Sequence, residues 1–183
     1  RVISSSYEHH ALDRALVKLN DMGVHVTRLP AGHGELVALE ALETELKAGG
    51  VRLVALTAAC NVTGRLLPIS QAIDLAHRFG SLILIDGAQI AGWWDLNLTQ
   101  LGADLFTLSP EVSMNCPAAT CELPDSQATT KCALMPGYCD AGSVNLSALA
   151  GLAAGCRWLS ESAQKQRLRM ARELADTFAD AIR

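Results

Sequence analysis

The chain has 183 residues, half of them hydrophobic but only 4% aromatic, which is enough apolar material for one domain with a core of Leu, Ala, Val and Ile. That composition excludes a disordered chain, and a formal charge of −4 argues against nucleic acid or an anionic membrane surface as a partner. The longest apolar runs, such as Ser81 to Ile85, are too short to cross a bilayer, and no secretory signal is visible, so the expected setting is the cytoplasm.

The segment from Arg1 to Ser6 reads as a strand. Glu8 to Met22 carries Leu12, Leu16 and Leu19 at helical spacing, with Gly23 as its C-terminal cap. Val24 to Leu29 alternates like a strand and stops at Pro30. Leu36 to Ala48 is a second helix, closed by Gly49 and Gly50. Val51 to Thr57 is a buried strand. Pro68 to Phe79 is a third helix with Ile69, Ile73 and Ala76 on one face, ended by Gly80. Leu82 to Ile85 is a continuous apolar run, as expected of a parallel strand covered on both faces. Asp104 to Leu108 is a further strand. From Pro110 to Gly142 no period is sustained, which predicts loop with at most short strands. Val144 to Leu159 returns to helix. Arg167 to Ile182 forms a last amphipathic helix, with Leu168, Ala171, Leu174, Ala175, Phe178 and Ile182 on one side.

Alternating strands and helices predict an α/β fold. Residues 1–183 form a single domain of three layers, a mostly parallel sheet with helices on both faces. Such sheets bind ligands at the carboxyl ends of their strands. That rule selects the residues after Ser6, after Thr57 and after Ile85. The six cysteines contain no Cys-x-x-Cys pair. Four of them, Cys116, Cys121, Cys132 and Cys139, are loosely spaced with no histidine nearby, so reduced thiols are expected rather than a metal or sulfur-binding module.

Each strand end carries polar groups. Asp86-Gly87-Ala88-Gln89 follows the apolar run. A carboxylate there needs a partner, and a protonated ring nitrogen of a cofactor is one. Gly87 and Ala88 leave room for a flat ring. Tyr7-Glu8-His9-His10 places an imidazole where it can stack on a ring or relay a proton. Asn61, in Cys60-Asn61-Val62-Thr63-Gly64, can reach the same crevice. Taken singly, each reads first as local structure: Asp86 as a cap, His9 as the start of a helix, Asn61 as a turn residue.

Together, Glu8-His9-His10, Asn61-Val62-Thr63-Gly64, Pro68-Ile69, Asp86-Gly87-Ala88-Gln89 and Ala141-Gly142-Ser143-Val144-Asn145 resemble, in order and spacing, the class V aminotransferase-fold enzymes. The best-known members of that family are cysteine desulfurases and selenocysteine lyases. The resemblance covers roughly Val2 to Leu159. It implies the large domain of a fold-type I enzyme dependent on pyridoxal phosphate. It also implies that His9 stacks on the pyridine ring, Asp86 pairs with the ring nitrogen, and Asn61 and Gln89 contact the ring hydroxyl. Ser109 takes the place of the family's phosphate-site hydroxyl before the lysine, and Ser143 stands where a threonine touches the phosphate across a homodimer interface.

The sequence departs from the family where the cofactor is bonded. The family motif Ser/Thr-Gly-His-Lys is replaced by Ser109-Pro110-Glu111-Val112, which sets Val112 at the lysine that carries the cofactor and Glu111 at the histidine. Of the four lysines, Lys18, Lys47, Lys131 and Lys165, only Lys131 lies in the irregular stretch and could stand in for the missing one. The family's upstream phosphate loop and its C-terminal small domain are expected to be missing, and the stretch between Leu123 and Ala141 is short. The expectation is a truncated or degenerate relative without catalysis, to which covalent cofactor attachment is closed. An active lyase or transferase with a displaced lysine, acting on a small amino acid, is the alternative.

Overall fold

A computed structural model describes residues 1–31, 39–94, 96–109, 146–161 and 164–182. Five strands, β1 (Val2–Ser5), β2 (Val26–Leu29), β3 (Leu53–Thr57), β4 (Leu82–Asp86) and β5 (Leu105–Thr107), make one sheet in the order β2-β1-β3-β4-β5. Every pairing in it is parallel. Parallel neighbours need a crossover. Helices α1 (His10–Asp21), α2 (Leu39–Lys47) and α3 (Ile69–Arg78) lie in the first three intervals. A four-residue helix, α4 (Leu98–Leu101), lies in the fourth. Two longer helices, α5 (Leu146–Glu161) and α6 (Gln164–Ala181), complete the described chain.

The expected α/β architecture and the predicted strands are present; β1, β2, β3 and β5 are shortened by a residue or two at their ends, and β4 runs one residue further, to Asp86. No helical period marks α4 in the sequence, because four residues are too few to carry one; Asn97 starts it by accepting the N–H of Gln100 at 3.1 Å. Gly23 adopts φ +88° just past α1, the left-handed turn-off that a side chain would strain.

Strand alternation sorts the core. Ile3, Val54, Leu56, Ile83 and Ile85 share one face, and all are at most 1% exposed. Leu42 and Leu46 of α2, with Ala72, Ile73 and Ala76 of α3, join them in a single cluster. The opposite face carries Ser4, Ala55, Thr57, Leu84 and Asp86, and α1 lies on that side. The sequence predicted that β4 is covered on both faces. Instead its burial alternates: Ile83 and Ile85 are sealed, whereas Leu82 is 40% exposed and Leu84 half-buried. On α6 the predicted apolar stripe forms, but Leu174, Phe178 and Ile182 are exposed.

Candidate functional site

The carboxyl ends of β1, β3, β4 and β5 surround one cavity of about 450 Å³. His9, Asn61, Asp86, Gln89 and Ser109 all line it. Five residues chosen from four separate stretches of sequence therefore meet at one place, as the parallel topology requires of groups that follow strands. Ser143, Glu111 and Val112 lie outside the described residues, as do Lys131 and the four cysteines between 116 and 139.

Each side chain is delivered by local geometry. The chain leaves β1, turns through Ser6 and Tyr7, and enters α1 with His9 as the N-cap; its Nδ1 accepts the N–H of Ala11 at 3.2 Å. The capping role and the cavity position thus hold together: one nitrogen serves the helix while the exposed ring lines the cavity. Asp86 ends β4 between Thr57 of β3 and Thr107 of β5. Its Oδ1 accepts the N–H of Ala88 at 3.0 Å and the hydroxyl of Thr107 at 3.3 Å. Both bonds end on the same oxygen. Asn61 projects from a small loop closed by the Ala59–Leu66 bridge and by the Gly64 N–H donating to the Cys60 carbonyl at 2.8 Å.

Gly87 behaves differently from the sequence expectation. A side-chain carbon there would stand 2.0 Å from the Phe106 ring, so the space it leaves is filled by Phe106 and not by a ligand ring. Thr107 and Leu84 are cavity residues that the sequence did not single out. Both are placed by strand register, which no local motif announces.

Glu8 is the unforeseen titratable group. Burial pushes its carboxyl up to about 7 from an ordinary 4.5. Hydrogen bonds from the Ser5 hydroxyl and N–H oppose that rise, as does the nearby Thr57 N–H, and the charge of Asp86 adds to it. Cys60, buried after β3, is pushed up by burial, but contacts from the Thr63 hydroxyl and the Thr63 and Val62 N–H groups outweigh this and hold the thiol below its ordinary value. Among the described residues no cluster of His, Cys, Asp and Glu could hold a metal ion. No helix among them is long and apolar enough to cross a membrane. A second cavity of about 580 Å³, lined by Leu66, Leu67, Ile90, Trp94 and Leu101 among others, contains none of the candidate residues and, among the described residues, no titratable side chain.

Comparison with known proteins decides the family. The model of the family described as aminotransferase class-V matches residues 1–118. The chain belongs to the class V aminotransferases. A probable cysteine desulfurase of Chlamydia muridarum is 36% identical over 109 residues, which cover 59% of this chain and 27% of that protein. The cysteine desulfurase CsdA of Escherichia coli is 28% identical over 204 aligned positions, covering 99% of this chain and 50% of CsdA. The crystal structure of CsdA superposes with a TM-score of 0.80 at 27% identity, again over 99% of this chain and 50% of that one. The chain therefore spans about half the length of this relative. Pyridoxal phosphate is the cofactor expected of the family.

Proposed function

We propose that this class V chain keeps the ring-recognition half of a pyridoxal-phosphate site and is a cysteine desulfurase-like relative without covalent catalysis, assembled as a homodimer in the cytoplasm, an assembly that light scattering would check. One observation carries the proposal: His9, Asn61, Asp86, Gln89 and Ser109 border one cavity of about 450 Å³, which no lysine lines among the described residues. That volume falls within the range of small-molecule sites.

The donor set fits a pyridine ring. Among the described residues both hydrogen bonds of Asp86 occupy Oδ1, so Oδ2 is the oxygen to hold a ring N–H⁺. His9 offers a flat face from the start of α1, and Asn61 and Gln89 offer amide groups to a ring hydroxyl. When bound, the cofactor supplies an electron-withdrawing ring. Asp86 would keep that ring cationic. The phosphate is served less well. Apart from the histidine, the described lining has no basic side chain, and Ser109 supplies only a hydroxyl. Sequence places Val112 where the lysine is expected and Glu111 beside it, so there is no amine to attack at that position and an added negative charge near a phosphate.

A second reading, an active lyase or transferase with its lysine elsewhere, is favoured by the same intact set of ring-facing residues. One experiment separates the two. The purified chain is mixed with pyridoxal phosphate, reduced with borohydride and mapped by mass spectrometry. The expected result is no lysine carrying the cofactor and no desulfurase turnover. A stoichiometric adduct on Lys131, or on any other lysine, would overturn the non-catalytic reading.

A further inference from the structure

The chain changes direction across the sheet between β1 and β3, which are neighbours in space but not in sequence. Their ladder ends at the pair Ser4 and Ala55, and beyond it the two strands part. The Glu8 side chain lies in that parting. The N–H of Ser5 donates to its Oε1 at 3.3 Å, and the Ser5 hydroxyl donates to the same oxygen. The N–H of Thr57 faces the carboxyl from the β3 side. Oε2 is buried and has no hydrogen-bond partner among the described residues.

On its other side the same turn is tied to β2, where the N–H and hydroxyl of Ser6 donate to the Leu29 carbonyl at 3.2 and 2.8 Å. His9 follows directly, and its Nδ1 accepts the Ala11 N–H inside the first turn of α1. We propose that Glu8 is a positioning residue: its carboxyl, wedged between the ends of β1 and β3, sets where His9 stands relative to Asn61 and Asp86.

The neutral acid suits that place. An ionised carboxylate with a buried, unbonded oxygen is costly. The titratable groups around it are Asp86 at the end of β4 and Cys60 after β3, both acidic, with His9 next in the chain. Burial outweighs the hydrogen bonds and the Asp86 charge adds to it, so the carboxyl keeps its proton up to about pH 7. The folded chain then holds a proton that the unfolded chain releases near 4.5. Stability contributed by Glu8 is complete below that lower value and is lost as pH rises through about 7.

The test compares the full chain with Glu8→Gln and Glu8→Ala. Gln keeps the shape and an acceptor for Ser5 but does not titrate. Without ligand, urea unfolding midpoints of the wild type should fall between pH 5 and pH 7.5, and those of Glu8→Gln should not follow that fall. The ring resonances of His9, assigned with His9→Ala, should move in Glu8→Ala and stay in place in Glu8→Gln. Binding of pyridoxal phosphate should weaken by about tenfold in Glu8→Ala and by no more than about twofold in Glu8→Gln. That last arm rests on the cofactor reading above. A wild type that does not bind pyridoxal phosphate would refute that reading, and the two ligand-free measurements would still decide the role of Glu8. Parallel pH profiles for wild type and Glu8→Gln, or an unmoved His9 in Glu8→Ala, would overturn the proposal. If Glu8→Ala does not fold, the Glu8→Gln profile decides alone.

Discussion

The two faces of the sheet are built to different rules. On one, Ile3, Val54, Leu56, Ile83 and Ile85 interlock with α2 and α3 and are at most 1% exposed. On the other, β1 and β3 present the short side chains Ser4, Ala55 and Thr57, and β4 and β5 present Leu82 and Leu105 at 40% and 50% exposure. Burying one large aliphatic side chain contributes about 1.5–3 kcal/mol, so the first face supplies most of the sheet's hold. The second face can therefore carry what a core cannot tolerate: a carboxylate at a strand end, an exposed imidazole and an open cavity. Stability and chemistry are divided across the thickness of one sheet.

The sharpest way to break this division is to cut equally on both faces. Ile85→Ala removes a fully sealed side chain and should cost about 2–5 kcal/mol. Leu105→Ala, half exposed on the opposite face, should cost about 1 kcal/mol or less. Urea unfolding of the two variants measures both. Equal losses would mean that the second face is covered in solution, by other parts of the chain or by a second copy.

Gly87 tests the seam between the faces, where β4 runs into the site. Its N–H donates to the Thr107 carbonyl at 2.8 Å, and Phe106 closes over it. A methyl group there would stand 2.0, 2.5 and 2.8 Å from three atoms of the ring, so the ring must swing away from the core it packs against. Gly87→Ala should cost about 1–3 kcal/mol. Phe106→Leu in the Gly87→Ala background should recover part of that loss. Additive effects in the double-mutant cycle would show that the ring does not pack over Gly87.

What the sequence revealed of all this follows a physical line. Strands such as Val51 to Thr57 and Leu82 to Ile85 are legible because apolar runs between glycines leave few alternatives. His9, Asn61, Asp86 and Gln89 are legible as a group because each stands at or just after a strand end, and parallel strands point their ends the same way; Ser109 is legible only through the family resemblance. Everything that depends on register is hidden. The pairing of Ile85 with Phe106 decides that the room beside Gly87 belongs to a phenylalanine. The adjacency of β1 and β3 decides that the half-buried Glu8 has one carboxyl oxygen shut away from solvent. Periodicity likewise finds the stripe Leu174, Phe178 and Ile182 but cannot say that it is exposed. Family membership was legible from the strand-end motifs, and the match over residues 1–118 establishes it.

The smallest expected effect lies at the opposite end of the sheet from the cavity, where α3 is fastened to the closed face. Asp104 Oδ2 accepts the N–H of Ile83 at 2.8 Å and meets His77 Nε2 at 2.9 Å. The His77 hydrogen bond, followed by the Ile83 N–H, holds the Asp104 carboxyl below its ordinary value of 3.8. A carboxyl lowered in the folded state stabilises the fold above that ordinary value, and the contribution is lost as pH falls through the lower, folded one. The pair is solvent-accessible, with side chains 42% and 31% exposed, so its worth is that of a surface ion pair, under about 1 kcal/mol. Asp104→Asn should therefore lower the unfolding midpoint slightly at pH 6 and not at all near pH 2. Its own profile should be flatter than that of the wild type over the acid range. Glu8 works in the opposite sense, losing stability as pH rises, so a single acid-to-neutral titration of wild type, Asp104→Asn and Glu8→Gln separates the two ends of the sheet. A deficit in Asp104→Asn that persists unchanged to pH 2 would assign the contact to packing rather than charge.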